Sequence, residues 1–323
     1  MLKKNKIFKI LIIVDEKLSS VNQCQSIVNE LKKKNNKKFL IKYLTIKLNF
    51  MKYLPNFFIY YFILIRSLLG LNKIKRKFDF ILSCGRISAP FNLFYKKKNN
   101  CKNCHILNPY FGYDKFDFII VPEFDEDKFF KKNNLITTFG TLVDKSKLLK
   151  KKNDKLKHLN IDRFKKIASV LVGGTGRSSK INFNEIKNHI NRLNNLTNKY
   201  QVIYCFSRRT PYCLKKDIKK LAKKSSLFFP KNSYNPYWDL LKISDYIIVT
   251  SDSISMISDS LSTGKPTYII PIKKTKKKIS NFRESLIKSG KARIFDEKLE
   301  SWNYIELSEV ERVCKKLSRS LNL

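Results

Sequence analysis

Three short clusters of glycine, arginine, hydroxyl and acidic residues hold the groups that could do chemistry. They are Gly173-Gly174-Thr175-Gly176-Arg177-Ser178-Ser179, then Ser207-Arg208-Arg209-Thr210-Pro211, then Thr250-Ser251-Asp252-Ser253, with Ser255 just beyond. Glycine lets backbone come close to a ligand, arginine grips phosphate through paired donors, and hydroxyls or helix-entry amides add further donors. The chemistry they share is recognition of a phosphate or a ribose hydroxyl. Each cluster also has a plainer explanation: a strand-to-helix turn for the glycines, solvated surface side chains for Arg208 and Arg209, a helix cap for Ser251 or Asp252. The glycine run ends in no Gly-Lys-Ser/Thr and does not spell G-x-G-x-x-G, so neither of those nucleotide fingerprints applies.

What precedes the clusters sets them apart. Each follows a largely apolar run, at 167–172, 201–206 and 246–249, the last of them β-branched. A helical pattern follows the first at 183–196; another, with apolar residues at 254, 257 and 261, follows the third and closes at Thr263-Gly264 and Pro266. Apolar strands alternating with helices predict a parallel sheet, whose strand carboxyl ends gather on one rim. The three clusters are expected to meet there. Asn235-Pro236-Tyr237-Trp238 leads into the third.

The N-terminal half repeats the pattern. Residues 7–14 read as a strand with Asp15 at its end, a helical pattern runs through Gln23, Ile27, Val28 and Leu31, and strands are expected near 39–46, 78–83, 104–107 and 117–121. The 78–83 run delivers Gly85 and Arg86 to the same end. Between about 145 and 165 the chain turns polar and Lys-rich, which marks a domain boundary. The expected fold class is α/β, with one Rossmann-type domain in 1–150, a second in 151–300, and a C-terminal helix in 301–323 crossing back to the first.

Charge narrows the partners. The chain has 323 residues, 67 Lys and Arg against 26 Asp and Glu, and a net charge of +41. Such a field attracts a nucleic acid, an anionic membrane or a phosphorylated ligand. The lysines are scattered through nearly every segment, so compositional bias accounts for them as well as a shaped patch does. No zinc-finger spacing, heptad-linked basic region or aromatic RNA-binding strand is present, which disfavours nucleic acid. Seven cysteines, irregularly spaced and partly inside apolar runs, fit reduced thiols in the cytoplasm. Cys101-Lys102-Asn103-Cys104-His105 has the form of a c-type haem attachment, but no export signal precedes it, and a strand is the better reading. No stretch reaches the roughly 18–20 apolar residues that span a bilayer. The closest, FFIYYFILI at 57–65, is read either as a core helix or as a segment lying in a membrane interface, with basic residues on both sides.

At the strand ends the chain resembles the mitochondrial-fission ELM (elongated mitochondria) family. The resemblance is carried by VTSDSISMISDSLSTGKPTYIIPI, FSRRTP, LVGGTGR and NPYWDLL, and extends through Gly290-Lys291-Ala292-Arg293 and Ser83-Cys84-Gly85-Arg86-Ile87-Ser88-Ala89-Pro90 to cover essentially the whole chain. It implies a GT-B-like architecture, two Rossmann-type domains facing a central cleft, related to glycosyltransferases of cell-envelope glycolipids. By similarity Gly173, Gly174, Thr175, Ser251, Asp252 and Ser253 would face a diphosphate, Asp259 the ribose, and Arg208 and Arg209 would balance phosphate charge. Arg177, Ser207, Thr210, Asn235 and Ser255 complete the expected substrate-binding set in that domain, and Lys17, Gln23 and Arg86 join it from the first. The family favours Asp-Gly-Lys at the first strand end; here Asp15-Glu16-Lys17 keeps the acid and the lysine and lacks the glycine.

Two functions follow from the resemblance. One is a sugar transferase at the inner face of the cytoplasmic membrane, taking a nucleotide-sugar and a membrane-linked acceptor, with Asp15 as base and with no cofactor or compulsory metal. The other is a non-catalytic adaptor that recruits a partner protein to a membrane.

Overall fold

The structure is a computed structural model, and it describes residues 7–47, 53–70, 76–126, 130, 133–149, 161–162, 164–176, 179–230 and 234–323. Two units emerge: Met1–Asp144 together with Ser308–Leu323, and Lys145–Leu307.

The first unit runs β1 (Phe8–Val14), α1 (Leu18–Lys34), β2 (Phe39–Thr45), α2 (Asn56–Leu68), β3 (Phe80–Cys84), α3 (Ala89–Asn99), β4 (Lys102–Ile106), β5 (Phe118–Pro122) and β6 (Leu135–Thr138). Its six strands pair in the order β2-β1-β3-β4-β5-β6, every pairing parallel. The central strands β1 and β3 are largely apolar because helices cover both faces: Ile10 to Ile13 and Phe80 to Leu82 are fully buried. The Cys-x-x-Cys-His run leads into β4, with Cys104 and His105 buried in the strand; the His105 ring bonds Ser83 Oγ through Nδ1 at 2.7 Å, and burial lowers its pKa to about 3.

The second unit continues with α4 (Ser146–Leu149), β7 (Lys166–Val172), α5 (Phe183–Leu196), β8 (Tyr200–Phe206), α6 (Tyr212–Leu221), β9 (Leu227–Phe229), α7 (Tyr237–Ile243), β10 (Tyr246–Thr250), α8 (Ile254–Leu261), β11 (Thr267–Ile270), α9 (Lys277–Lys288) and β12 (Arg293–Ile294). The sheet order is β12-β11-β10-β7-β8-β9, again all parallel. Val170, Tyr204 and Ile248 stand side by side on the three central strands and share one core. Asn182 caps α5 by accepting the Glu185 N–H at 3.1 Å, which fixes where the chain turns from the β7 loop into its helix.

The last helix, α10 (Glu309–Leu321), packs in the first unit. Val310, Val313, Cys314 and Leu317 recur at helical spacing, are buried, and lie in one cluster with Cys24, Ile27 and Leu31 of α1. Burying each such aliphatic side chain stabilises the unit by about 1.5–3 kcal/mol.

Candidate functional site

In the second unit β10, β7 and β8 are consecutive neighbours, so parallel pairing sets their carboxyl ends side by side. The glycine turn, the arginine pair and the Ser/Asp loop follow these three ends, and one side chain ties them together. Asp252 is 4 % exposed. Its Oδ2 accepts the Gly174 N–H at 2.8 Å and its Oδ1 accepts the Thr250 hydroxyl at 2.6 Å, while Thr250 Oγ1 accepts the Gly173 N–H at 2.8 Å. Thr210 Oγ1 joins the second loop to the first, 2.5 Å from the Gly173 carbonyl and 3.1 Å from the Val172 carbonyl. Ser207 Oγ lies 3.1 Å from Thr210 Oγ1 and accepts the Arg209 N–H at 3.2 Å.

The glycines are required by how closely these strands of chain approach. A Cβ on Gly173 would sit 2.0 Å from Asp252 Oδ2, and one on Gly174 would sit 2.1 Å from the Arg209 carbonyl oxygen. Both glycine amides, expected at a diphosphate, are spent on Thr250 and Asp252. The free donors of the rim therefore lie elsewhere. Ser253 caps α8 by accepting the Met256 N–H at 3.5 Å, so the cap is Ser253 rather than Ser251 or Asp252, and the first-turn amides of Ile254 and Ser255 face the helix entrance, which carries partial positive charge. Ser251 Oγ accepts the Ile272 N–H at 2.8 Å and holds β11's exit against the loop.

Electrostatics favour an anion here. The Arg209 guanidinium is half exposed, with Nη2 4.0 Å from Asp252 Oδ2. Burial raises the Asp252 carboxyl, and its bonds from Thr250 and Gly174 and the charge of Arg209 oppose that rise. Arg208 and Thr175 are exposed beside it, and Arg177 lies outside the described residues.

Asp259 lies on α8 six residues beyond the cap, about 9 Å along the axis. The Tyr237 hydroxyl donates to its Oδ2 at 2.9 Å. Burial pushes the carboxyl up to about 7, against the Tyr237 bond and the charge of Lys147. Asn235 is exposed, and its Oδ1 accepts the Tyr237 N–H at 3.1 Å, ordering the entry to α7. Tyr237 was absent from the expected set; its place in an Asn-Pro-Tyr-Trp turn just before a short helix was the available signal.

The first-unit candidates separate into two kinds. Asp15 is buried at the end of β1; its Oδ1 accepts the Lys17 N–H at 3.2 Å and its Oδ2 lies 2.9 Å from Lys17 Nζ. Gly85 ends the adjacent β3 at φ +90°, where a Cβ would stand 3.5 Å from Asp15 Oδ2, so the two strand ends meet at this carboxylate. Gln23 and Arg86 also bond within the unit. Gln23 is buried, reaching Cys84 Sγ at 3.7 Å and accepting the Leu142 N–H at 3.4 Å; Arg86 donates to the Leu54 carbonyl at 2.9 Å and to Asn56 Oδ1 at 3.2 Å, pinning the start of α2. Among the described residues no cluster of His, Cys, Asp and Glu could hold a metal ion, and no helix is long and apolar enough to cross a membrane.

Two six-stranded parallel sheets with helices on their faces, each with a strand-end rim, define a GT-B-like protein of two Rossmann-type units. Among solved structures, the UDP-GlcNAc 2-epimerase of Methanocaldococcus jannaschii in complex with UDP-GlcNAc and UDP superposes with a TM-score of 0.56 at 13 % identity, covering 97 % of this chain and 100 % of that one. The family profile described as mitochondrial fission ELM1 matches residues 20–321, and the chain belongs to that family. The uncharacterized protein RP120 of Rickettsia prowazekii is 28 % identical over 353 aligned residues, 97 % of this chain and 98 % of its own. The mitochondrial fission protein ELM1 of Arabidopsis thaliana is 38 % identical over 90 residues, 27 % of this chain and 21 % of its own.

Proposed function

We propose that the second-unit rim binds the diphosphate of a nucleoside diphosphate or nucleotide-sugar, and that the protein transfers the sugar to a membrane-linked acceptor. The observation that carries this reading is the Asp252 lock. It fastens the glycine turn after β7 to the loop that opens α8, and the Arg209 guanidinium lies 4.0 Å from its carboxylate. Such a preorganised set of donors stabilises a departing diphosphate without rearranging during reaction. Arg208, Thr175, Ser253 and Ser255 line the same rim, and Asp259 accepts the ribose hydroxyls. In the transfer, Asp15 takes the proton of the acceptor hydroxyl, the acceptor oxygen bonds to the anomeric carbon, and the sugar–phosphate bond breaks onto the diphosphate. A protein of this fold solved with UDP and UDP-GlcNAc supports the ligand class. The protein works in the cytoplasm, peripheral to the inner face of the membrane.

Thermal shifts measured with a panel of nucleoside diphosphates and their sugars test the reading: at least one should raise the melting temperature, and a panel without effect would refute it. One observation favours a second reading, that of an adaptor recruiting a partner protein. The Gly173 and Gly174 amides are already donated inside the chain. Recovery of a stoichiometric partner by a protein that binds no nucleotide would establish that reading instead.

A further inference from the structure

The helix α2 is apolar on both faces, and among the described residues only one is covered. Ile59 and Ile63 are buried among Leu11, Ile13, Ile81 and Phe94 of the first unit's core. The opposite stripe, Phe57, Phe58, Tyr61, Phe62, Ile65 and Leu68, is exposed, with Ile65 at 57 % and Leu68 at 88 %. These residues recur at three- and four-residue spacing, so they form one continuous strip over about three turns. A strip of this kind is a binding surface rather than scattered surface apolarity.

The charge around it identifies the occupant. Residues 51–78 contain no Asp or Glu and six basic residues, Lys52, Arg66, Lys73, Lys75, Arg76 and Lys77. Arg66 lies 5.8 Å from the centre of the Phe62 ring, within the strip itself. A second copy of the chain is a poor occupant, because each copy carries +41 and the two would meet through their basic flanks. An anionic bilayer surface matches on both counts. Aromatic and aliphatic side chains enter the headgroup and acyl boundary, and the flanking cations meet lipid phosphates. At 13 residues the helix is about 20 Å long, short of the ~30 Å hydrocarbon core, so it lies in the interface and does not span it.

We propose that the exposed face of α2 is the membrane-docking surface of this protein, seated on anionic phospholipid with the helix axis parallel to the bilayer. The inference deepens the membrane part of the reading above and is independent of its nucleotide part.

The test is co-sedimentation of the full chain with phosphatidylcholine vesicles, with and without phosphatidylglycerol. The wild type should bind the anionic vesicles, and the variant Phe58→Ser/Ile65→Ser/Leu68→Ser should bind at least about tenfold more weakly. All three side chains are exposed, so the variant should keep the wild-type melting temperature and any nucleotide-induced shift. A Phe58→Trp variant should show a blue-shifted emission of the introduced indole on adding the anionic vesicles. If the wild type ignores anionic vesicles, both this proposal and the membrane-linked acceptor fall, and nucleotide binding stands. If the triple variant binds as well as the wild type, or the emission of the Phe58→Trp variant is unmoved, bulk charge holds the protein to the surface and α2 does not. A wild-type dimer that the triple variant dissolves, with no vesicle binding, would make the strip a contact between copies and overturn the proposal.

Discussion

Replacing Asp252 probes the rim at the point where its loops are fastened. Asp252→Ala removes the acceptor of the buried Gly174 N–H and of the Thr250 hydroxyl. The hydroxyl can turn to the Leu171 carbonyl, 3.5 Å away, but the amide has no replacement. A buried donor left unsatisfied costs about 1–3 kcal/mol. The lost volume adds to this, while removing a carboxylate that burial disfavours gives some back. The net loss is about 2 kcal/mol, a fall in melting temperature of about 4–8 °C for a unit of this size. Asp252→Asn should lose half as much or less, because an amide oxygen can still accept from Gly174 and its nitrogen can donate to Thr250 Oγ1 once that hydroxyl turns away. Scanning calorimetry at neutral pH measures both. An alanine variant that melts with the wild type, or an asparagine variant less stable than the alanine one, would refute the claim that this carboxylate holds the rim together.

Further outcomes follow from neighbouring residues. Gly174→Ala places a methyl on the Arg209 carbonyl and should cost about 2–3 kcal/mol while weakening nucleotide binding, since the arginine loop must move; unchanged melting and affinity would contradict the close approach. Asp259 titrates near 7 in the fold against 3.8 ordinarily. A raised carboxyl gives stability that is whole below pH 3.8 and is lost as pH climbs to about 7, on the order of 4 kcal/mol at most. Asp259→Asn should therefore flatten melting temperature against pH across that window and be the more stable protein at pH 8. A wild type whose stability does not decline across the same window would contradict the burial of that carboxyl.

Much of this arrangement could be read from the residues alone. The apolar runs at 167–172, 201–206 and 246–249 became β7, β8 and β10 almost residue for residue, because strands buried on both faces leave no polar alternation to blur them. Parallel pairing then obliged their loops to meet. The short edge strands β6, β9 and β12 escaped notice, since two to four residues carry no periodicity. The direction of Asp252 escaped too. A Ser-Asp-Ser loop before a helix reads as a cap or a ligand contact, and only the neighbouring loop shows the carboxylate turned inward onto Gly174. For the same reason the glycines looked like ligand donors, when their work is to let Asp252 and the Arg209 backbone come close. Arg86 and Gln23 look alike in sequence to Lys17, and only the structure shows their bonds to Leu54, Asn56 and Leu142.

Calorimetric titration of UDP into the wild type and into Arg209→Ala tests the central claim most directly. Arg209 is half exposed and makes its charge available to the rim, so the variant should melt within about 2 °C of the wild type, as surface substitutions do. Losing a charge-assisted bond to phosphate, worth about 1.5–3 kcal/mol, should weaken binding roughly tenfold or more. Equal affinity in the two proteins, or no binding of UDP or any other nucleoside diphosphate to the wild type, would contradict a phosphate-binding rim on the second unit.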